Sequence, residues 1–384
     1  MRLTEKALFL QSTEADARFR TVQIQMIQLF TSTCITISFI RGYSMDLIFL
    51  DKRFNVIKFV EYINLQWNRR YYECGQYSIQ ILAKDYENSF LYVYRNSEAE
   101  LGIVQKVEHI SEERGEFVQI SGFFLESALN NYILHPTFSF NGSVKDCIST
   151  MLSIYCDDIP NFNVDVSQAP TTSISFQKTG EEIASQMFSI LQKYEYSFSL
   201  SYDYIHNGID FRVWSGLDRT SEVAPILGHE TAIFNQNWGH FKNLIVTTDD
   251  SNYKNYAVVA GSGEGDQRQI VLVDESNGEK LKRLYVDARD LQQQEDMSHQ
   301  QYLDALKERG KEYLNKHKNI LNIDFDFIGD MEYKENFDLG DKCDIVLKNT
   351  DEVYQSRIIG VDELIKENRK EIKLQFGDKI PRKR

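Results

Sequence analysis

From Met45 onward this chain is a succession of short segments in which apolar and polar residues alternate, separated by turn residues. A period of two places every second side chain on one face of a β-strand. Asp46–Leu50 and Val56–Tyr62 flank the polar turn Asp51-Lys52-Arg53, which indicates a hairpin. Tyr and Phe, with 21 and 24 copies, favour half-buried pleated surfaces. The pattern therefore predicts an α+β fold that is mainly β.

The same alternation predicts further strands, before residue 134 and after residue 230. Turn residues such as Glu73-Cys74-Gly75 separate these segments. The predicted strands are Asn64–Arg70, Tyr77–Leu82, Tyr92–Tyr94, Gly102–Ile110, Phe117–Ser121, Leu244–Thr247, Asn255–Ala260, Ile270–Val273, Leu284–Asp287, Ile320–Phe327, Lys342–Leu347, Gln355–Val361 and Glu371–Phe376.

Residues 135–215 follow a different pattern, which we interpret as an α/β insertion. Ser143 can cap a helix. Thr179 and Glu182 have the spacing of a capping box before a second helix. Asn207-Gly208 predicts a hairpin turn, because both central residues of the favoured turn need positive φ. The apolar stripe of the first helix, at helical spacing, consists of Val144, Cys147, Ile148, Met151, Leu152 and Tyr155.

These patterns divide the chain into five parts. Near the C-terminus, Ser298 and Gln301 can begin a further helix. The predicted parts are a leader at 1–44, a first β-rich domain at 45–134 and 216–262, the α/β insertion at 135–215, a second β-rich domain at 263–285 and 320–384, and a helical insertion at 286–319.

The leader differs from the rest in charge: its +2 leaves −16 for residues 45–384 out of a total of −14. Two explanations stay open. Either Met45 is the natural start and the leader is an over-extended gene prediction, or the leader is an arm that packs on a partner. Its stretch Thr21–Ile40 contains three Gln and four Thr, which are costly in hydrocarbon. We therefore expect no membrane span, and also no secretory signal.

The charge balance and the spacing of the cysteines argue against several classes of function. With 43 basic and 57 acidic residues, the sequence shows no basic patch of the kind that supplies nucleic-acid affinity. Neither a disulfide framework nor a zinc site is predicted, because the cysteines have no CxxC or Cys/His spacing. These cysteines are Cys34, Cys74, Cys147, Cys156 and Cys343.

Each motif that could carry chemistry has a simpler structural interpretation. The loop Gly261–Gly265 follows a strand, but a second strand and not a helix comes after it, unlike a dinucleotide site. His229-Glu230 lacks the second histidine of a zincin helix, because position 233 is Ile. We predict no catalytic, cofactor-binding or metal-binding residues and no cofactor. The groups weighed and set aside are His109, His206, His240, Cys74, Cys147 and the acid pairs Asp157/Asp158 and Asp324/Asp326.

Trp67–Tyr72 is aromatic and basic, so it could form a single-strand-binding surface. In a chain this acidic, a strand edge or a subunit contact is the favoured interpretation. The basic end Pro381–Arg384 is expected to be a frayed terminus.

The order of these segments resembles that of siphophage minor tail proteins of the baseplate-hub group. Asn64–Leu82 is similar to the opening of that family, with a Trp-containing basic strand, a Tyr-Tyr-x-x-Gly turn and an aromatic strand. Asn243-Leu244 with Tyr253–Gly261 is similar to its central segment. The resemblance extends from Met45 to about Asp378. The remaining matching segments are Arg268, Tyr285–Asp290, Leu306–Gly310, Phe337–Asp341 and Phe376-Gly377.

The resemblance implies a structural protein without enzymatic activity. It implies two hub-type β-barrel domains, related in fold to contractile-tail and type VI spike hubs, and a homotrimeric ring that leaves a channel for the genome. The implied place is the virion tail tip, after synthesis in the bacterial host cytoplasm. Implied partners are further copies of the chain, a distal tail protein, the tape-measure protein and a tail fibre or receptor-binding protein, and DNA would pass without specific binding.

A tail-associated cell-wall hydrolase or glycan-binding module is the alternative hypothesis. Many relatives continue into such a module where this chain stops at Arg384, so we expect the structural role instead. Because residues 45–384 are acidic, we also expect the channel to be lined mainly by Asp, Glu, Ser, Thr and Asn.

Overall fold

The structure, a computed structural model, describes residues 47–377 apart from 97, 204–205, 294–296, 349–352 and 367–368. Strands predominate over helices in this part of the chain, so the prediction of a mainly β fold is confirmed. The leader at 1–44, its stretch Thr21–Ile40 and the basic end Pro381–Arg384 lie outside the described residues, and their interpretation stays a prediction.

The N-terminal part consists of eight strands and two short 3₁₀ turns, Ala83–Asp85 and Leu125–Asn131. Apolar and polar residues alternate along Asn64–Arg70, Gln76–Leu82 and Gly115–Phe123, as predicted, whereas Leu47–Leu50 is apolar and buried throughout. The strands are β1 (Leu47–Leu50), β2 (Val56–Val60), β3 (Asn64–Arg70), β4 (Gln76–Leu82), β5 (Tyr92–Arg95), β6 (Leu101–Ile103), β7 (Lys106–Glu112) and β8 (Gly115–Phe123).

The middle unit combines strands with two helices, as predicted for the α/β insertion. Its elements are β9 (Phe138–Ser143), α1 (Val144–Tyr155), β10 (Phe162–Asp165), β11 (Ser173–Lys178), α2 (Ile183–Gln192), β12 (Ser197–Asp203) and β13 (Gly208–Trp214).

The C-terminal part returns to strands around one long helix. Two 3₁₀ turns, Gln236–Trp238 and Gly265–Gln267, lie between its strands. The elements are α3 (Ala224–Leu227), β14 (Ile233–Asn235), β15 (Phe241–Asp249), β16 (Tyr256–Ala260), β17 (Ile270–Asp274), β18 (Arg283–Asp287), α4 (His299–Asn315), β19 (Ile320–Phe327), β20 (Lys342–Val346), β21 (Val353–Lys366) and β22 (Arg369–Gly377).

One long sheet joins the two ends of the chain. Its strand order is β15-β19-β22-β21-β3-β4-β8-β7, and β20 extends it from the first half of β21 and carries β14. All neighbours among those eight strands are antiparallel. The pairing of β21 with β3, from Gly360↔Arg70 to Lys366↔Asn64, is the seam between the N-terminal and C-terminal strands.

Two separate cores lie against one face of the long sheet. The N-terminal core fills the space between β3, β4 and β8 and the four-stranded sheet β2-β1-β5-β6, with Trp67 fully buried in it. The C-terminal core gathers phenylalanines of β14, β15, β19 and β22 around Phe234. Apolar residues therefore occupy the inner face of the sheet in both halves.

The strand pairing differs from the predicted grouping of residues 216–262 with 45–134. β14 pairs with β20, and β15 pairs with β19, so these strands join the C-terminal core. Alternation shows that a segment is a strand but not which strand it pairs with, because pairing depends on contacts between distant segments. The division into domains itself stays a prediction.

The predicted strand Gly102–Ile110 is two strands, β6 and β7, that belong to different sheets. The chain crosses between them at Val104 and Gln105, whose amides donate to carbonyls of Leu91 and Ser121. A side chain at Gly122 would meet the Ile103 carbonyl oxygen at 1.9 Å, so the crossing fits only beside a glycine. The alternation breaks at this point, because Ile103 and Val104 are both apolar and Gln105 and Lys106 are both polar, and that break was the sign of the crossing in the sequence.

The first helix of the middle unit agrees with the prediction. Ser143 Oγ accepts the amide of Asp146 at 3.1 Å, as expected of a cap. The predicted stripe is buried, apart from the half-buried Tyr155. The second cap is wrong, because Thr179 Oγ1 contacts Thr137 Oγ1 at 2.7 Å and α2 begins at Ile183 without a side-chain cap.

The helix predicted after Ser298 is α4, and its capping box with Gln301 is confirmed. One face of α4 packs on the three-stranded sheet β17-β16-β18. A side chain at Gly310 would lie 2.7 Å from Val259 and 2.6 Å from Val273, so glycine lets the helix lie close to the sheet. On its other side, α4 contacts the middle unit, where Lys178 Nζ donates to Glu312 at 3.1 Å.

Candidate functional site

The long sheet has a second face, opposite the two cores, which we call the polar face. It carries side chains of three kinds: charged ones of both signs, the apolar Leu82, Ile110, Phe117, Phe123, Ile245, Ile320 and Leu364, and eleven neutral amide and hydroxyl side chains, which are exposed or half-buried. The neutral ones are Asn64, Gln66, Asn68, Gln76, Ser78, Gln80, Gln119, Ser121, Thr247, Asn322 and Gln375.

Hydrogen bonds between neighbouring strands hold these amides in place. Asn64 Nδ2 donates to Gln80 Oε1 at 2.7 Å, and Gln119 Nε2 donates to Ser78 Oγ at 2.6 Å. Cross-strand pairs of this kind fix side-chain directions on the surface of a sheet. The polar face therefore presents ordered neutral dipoles across several strands.

Charges of both signs are interspersed on the polar face. Arg70 pairs with Asp362 across the seam, and Asn243 Nδ2 donates to Asp326 at 2.6 Å. Burial raises the pKa of Asp324 above its ordinary value. The acidic residues are Glu108, Glu112, Asp249, Asp324, Asp326, Asp362 and Glu371, and the basic ones are Arg70, Lys106, Lys242, Lys366, Arg369 and Lys373.

On the core side of the seam lies a buried group of charges, the seam cluster, formed by Arg69, Arg95, Glu98, Glu100 and Glu363. Arg69 donates to Glu98 and Glu100 at 2.7 Å each and to Glu363 at 3.3 Å. Arg95 donates to the same Glu363 at 2.9 Å. Both Arg69 and Glu363 are almost fully buried. The cluster therefore ties β3, β5 and β21 together where the two cores meet.

The cluster also fixes the register of the seam. Arg69 and Glu363 point to the core side, as do Trp67 and Val361. A slip of β3 by one residue would turn Arg69 to the polar face, bring Arg70 into the core and leave Glu363 buried without Arg69. Buried charges without partners cost several kcal/mol, so such a slip is strongly disfavoured.

Ion pairing lowers the pKa of the seam carboxyls. Although burial disfavours its charged form, the ion pairs with Arg95 and Arg69 lower the pKa of Glu363 to about 2. The pKa of Glu100 is also lowered, because the attraction of Arg69 outweighs the effect of burial. Both groups hold their protons less tightly in the folded protein than in the unfolded chain.

Acid should therefore destabilise the seam. The stabilisation from Glu363 is fully present above its ordinary pKa of about 4.5 and is lost as pH falls toward 2, which amounts to about 3 kcal/mol. The measurement is the free energy of unfolding of the wild type and of Glu363→Gln from pH 7 to pH 2. The variant should lose less stability over this window, and equal losses in both proteins would contradict the assignment.

The glycine loop Gly261–Gly265 is a wide turn between β16 and β17. The residues after it form a 3₁₀ turn and then a strand, so no helix begins there. Its backbone is held by the hydroxyl of Tyr302, which accepts the amide of Ser262 at 2.8 Å. The predicted turn between two strands is confirmed, and the absence of a phosphate site there stays a prediction.

The other candidate motifs do not come together. His229 and Glu230 follow the left-handed Gly228 in a loop, and burial raises the pKa values of the Cys74 and Cys147 thiols to about 12. Among the described residues, no three His, Cys, Asp or Glu side chains are placed to hold a metal ion. In the same part of the chain, no helix has the length and hydropathy needed to cross a membrane.

The segment Trp67–Tyr72 is not a strand edge, so that part of the interpretation is wrong, and a contact with another subunit stays a prediction. β3 lies inside the long sheet, and Trp67, Arg69 and Tyr71 are buried. Trp67 therefore cannot stack on a base. The sequence contains one local sign of the seam cluster. Arg69 occupies a position of β3 at which the alternation predicts a buried apolar residue.

Comparisons with known proteins agree with this architecture. A family model described as Siphovirus ReqiPepy6 Gp37-like protein matches residues 47–378. The tail protein from Neisseria meningitidis MC58 has a TM-score of 0.56 at 13% identity, over 88% of this chain and 97% of that one. The 43 kDa tail protein of prophage MuSo2 from Shewanella oneidensis has a TM-score of 0.54 at 10% identity, over 86% and 98%. No curated protein matches.

These matches confirm the resemblance to siphophage tail-tip proteins. The family match covers the sheet, both cores, the middle unit and α4. The two tail proteins have the same fold over nearly their whole length. The chain therefore belongs to the Siphovirus ReqiPepy6 Gp37-like family.

Proposed function

We propose that this chain is a structural tail-tip protein, three copies of which form a baseplate-hub ring around a channel for the genome. The ring would join the tail tube and a distal tail protein to the tip of the virion. Family membership and the fold shared with two tail proteins support a place in the tail. The observation that supports the channel is the polar face, which runs across eight strands.

The polar face has the chemistry that a channel for DNA requires. A protein that neutralises phosphates with Lys and Arg gains affinity by releasing counterions, and a passing strand would be held. Here six basic side chains are interspersed with seven acidic ones among neutral amides. The sequence predicted a lining of mainly Asp, Glu, Ser, Thr and Asn. The polar face also carries Gln, Lys and Arg, so its net charge is close to zero.

Partners follow from the proposed place in the tail. They are further copies of the chain, the distal tail protein, the tape-measure protein and a tail fibre or receptor-binding protein. The chain would meet them after its synthesis in the host cytoplasm.

The test of the ring is the mass of the purified chain by light scattering and its shape by electron microscopy. Threefold rings support the proposal, and a monomer at all concentrations up to those of assembly would overturn it.

The assembled ring should bind duplex DNA no better than a neutral protein of equal size. At about 0.15 M salt, charges further apart than about 8 Å are screened, so the mixed charges of the polar face should give no net attraction. The measurement is DNA binding by fluorescence anisotropy at several salt concentrations. Micromolar binding that weakens with added salt would show that basic residues line the channel.

A cell-wall hydrolase or glycan-binding module is the less favoured function. Glycoside hydrolysis needs two carboxyl groups on either side of a bound sugar, one with a raised pKa. Asp324 and Asp326 lie instead on the open sheet surface, two residues apart on β19. A zymogram on purified host wall separates the two functions, because a cleared band requires the hydrolase.

A further inference from the structure

We propose that a groove at the end of β19 binds an extended acidic segment of a partner protein, which adds a short strand beside β22. The inference goes beyond the proposed ring, because it concerns the surface of one chain and does not depend on the number of copies. It assigns a binding surface to the end of the long sheet where β15, β19 and β22 lie side by side.

The groove has a volume of about 350 Å³. That volume is within the usual range of ligand pockets, about 300–1,000 Å³. The four residues of β22 that line it alternate between the two faces of the sheet, so the groove is a notch at a strand edge and not a hollow in one face. Its lining consists of the apolar Phe327, Ile328 and Ile372 and the charged Lys242, Asp326, Arg369, Lys370 and Glu371.

The notch arises because β22 continues past the end of β19. The last pair between the two strands is Phe327↔Ile372, whereas β22 begins three residues earlier, at Arg369. Over these three residues β22 pairs with β21 on one side, and in the described part of the chain no strand lies on its other side. Unpaired strand edges accept a further strand through backbone hydrogen bonds. The edge therefore suits the backbone of an extended peptide.

The charges at the groove favour an acidic occupant. On the polar face Lys366 lies directly opposite Arg369, and like charges in that position destabilise a sheet. Lys242 lies on the other side of the groove. Within the described ranges, no carboxylate lies at ion-pairing distance from these three basic side chains. A carboxylate of the occupant placed among them would relieve the repulsion.

Apolar surface next to the groove favours a protein as the partner. Ile328 at its wall is 53% exposed, and Trp238 is 64% exposed. The two lie close together, because the amide of Ile328 donates to the carbonyl of His240 at 2.9 Å and the His240 ring lies 5.5 Å from that of Trp238. Tryptophan is a frequent anchor of protein interfaces. The occupant should therefore carry apolar residues as well as acidic ones.

Other occupants fit the groove less well. The leader carries +2, and residues 378–384 contain four basic residues and one acidic residue, so both segments have the wrong charge. A nucleic acid is disfavoured because the carboxylates of Asp326 and Glu371, which line the groove, repel phosphates. A strand with acidic and apolar residues in alternation satisfies both the charges and the apolar walls.

A synthetic peptide tests the charge preference. The probe is a fluorescein-labelled peptide of four Glu-Val repeats with blocked ends, measured by fluorescence anisotropy with the full chain at about 0.15 M salt. The wild type should bind it. Lys242→Glu with Arg369→Glu should weaken binding about tenfold and should allow a peptide of four Lys-Val repeats to bind instead. Both replaced side chains are exposed, so the variant should keep its melting temperature.

The matched control is Lys307→Glu with Lys318→Glu. It makes the same change in net charge at exposed positions on and just after α4, near the opposite end of β19. Binding of the Glu-Val peptide should be the same as in the wild type. A loss equal to that of the groove variant would show that only net charge matters and would overturn the site.

Methylation of the peptide backbone tests strand pairing. A strand pairs with its neighbour through the amides of every second residue. One form of the Glu-Val peptide is N-methylated at its valines and the other at its glutamates. One form should bind like the parent peptide, and the other should not bind. Equal behaviour of the two forms would overturn the added strand.

Three further outcomes would overturn the proposal. The first is that the wild type does not bind the Glu-Val peptide. The second is that an oligothymidine of equal length binds more tightly, which would make the groove a nucleic-acid site. The third is that the groove variant loses self-association, which would show that a second copy fills the groove. A failure of peptide binding leaves the ring untouched, because the ring is tested by the mass and shape of the purified chain.

Discussion

Replacing Arg69 by methionine should lower the free energy of unfolding by about 3–5 kcal/mol. Arg69 is buried and donates to Glu98, Glu100 and Glu363, so methionine leaves three carboxylates at the seam without their shared cation. Removing one partner of a buried ion pair is costly because the other keeps its desolvation penalty. The measurement is equilibrium unfolding in urea, followed by tryptophan fluorescence.

Arg70→Met is the matched control for this prediction. Arg70 is the next residue on β3, but it lies on the polar face, where Arg70 and its single carboxylate partner Asp362 are only partly buried. Because Asp362 keeps part of its contact with water, the control should lose clearly less stability than Arg69→Met. Equal losses in the two variants would show that the seam cluster does not hold the two cores together.

Arg69 also shows what the sequence could and could not predict at the seam. Its position among apolar residues of an alternating strand indicates burial, and a buried arginine requires carboxylates. Its partner Glu363, however, lies 294 residues away, and 57 acids compete for the role. No pattern in one sequence identifies that partner, because the pairing of β3 with β21 is decided by the whole fold.

Contacts between residues distant in sequence also explain which of the predicted helix caps are confirmed and which is wrong. Ser143 and Ser298 cap helices because the required atoms lie within one turn of chain. Thr179 has the same spacing, but a contact with Thr137, 42 residues away, takes its hydroxyl. Local geometry thus predicts a cap only where no distant partner competes for it.

The sequence predicts that individual strands have a polar side, but it does not predict that these sides form one surface. Alternation in Asn64–Arg70 and Gln76–Leu82 shows that one side of each strand is polar. That eight such strands form a single surface depends on the order of strands, which joins the two ends of the chain through β21. The candidate site is therefore a property of topology more than of any motif.

Ile148→Asp should unfold the middle unit, with a loss of stability above about 4 kcal/mol. Ile148 lies fully buried on α1, in a core shared with α2 and β12. Aspartate there would either carry an unpaired charge away from water or remain protonated and leave a cavity, and both are costly. The measurement is the thermal unfolding transition, together with proteolysis of residues 135–215.

Ile154→Asp is the control on the same helix. Ile154 is 53% exposed and lies outside the predicted apolar stripe, so the charge it gains is solvated and stability should change by about 0.5 kcal/mol or less. The two variants share the substitution, the helix and the change in net charge, and they differ only in the face of α1. If both variants unfold alike, or neither does, then the periodicity that assigned the buried stripe of α1 does not describe how this helix packs.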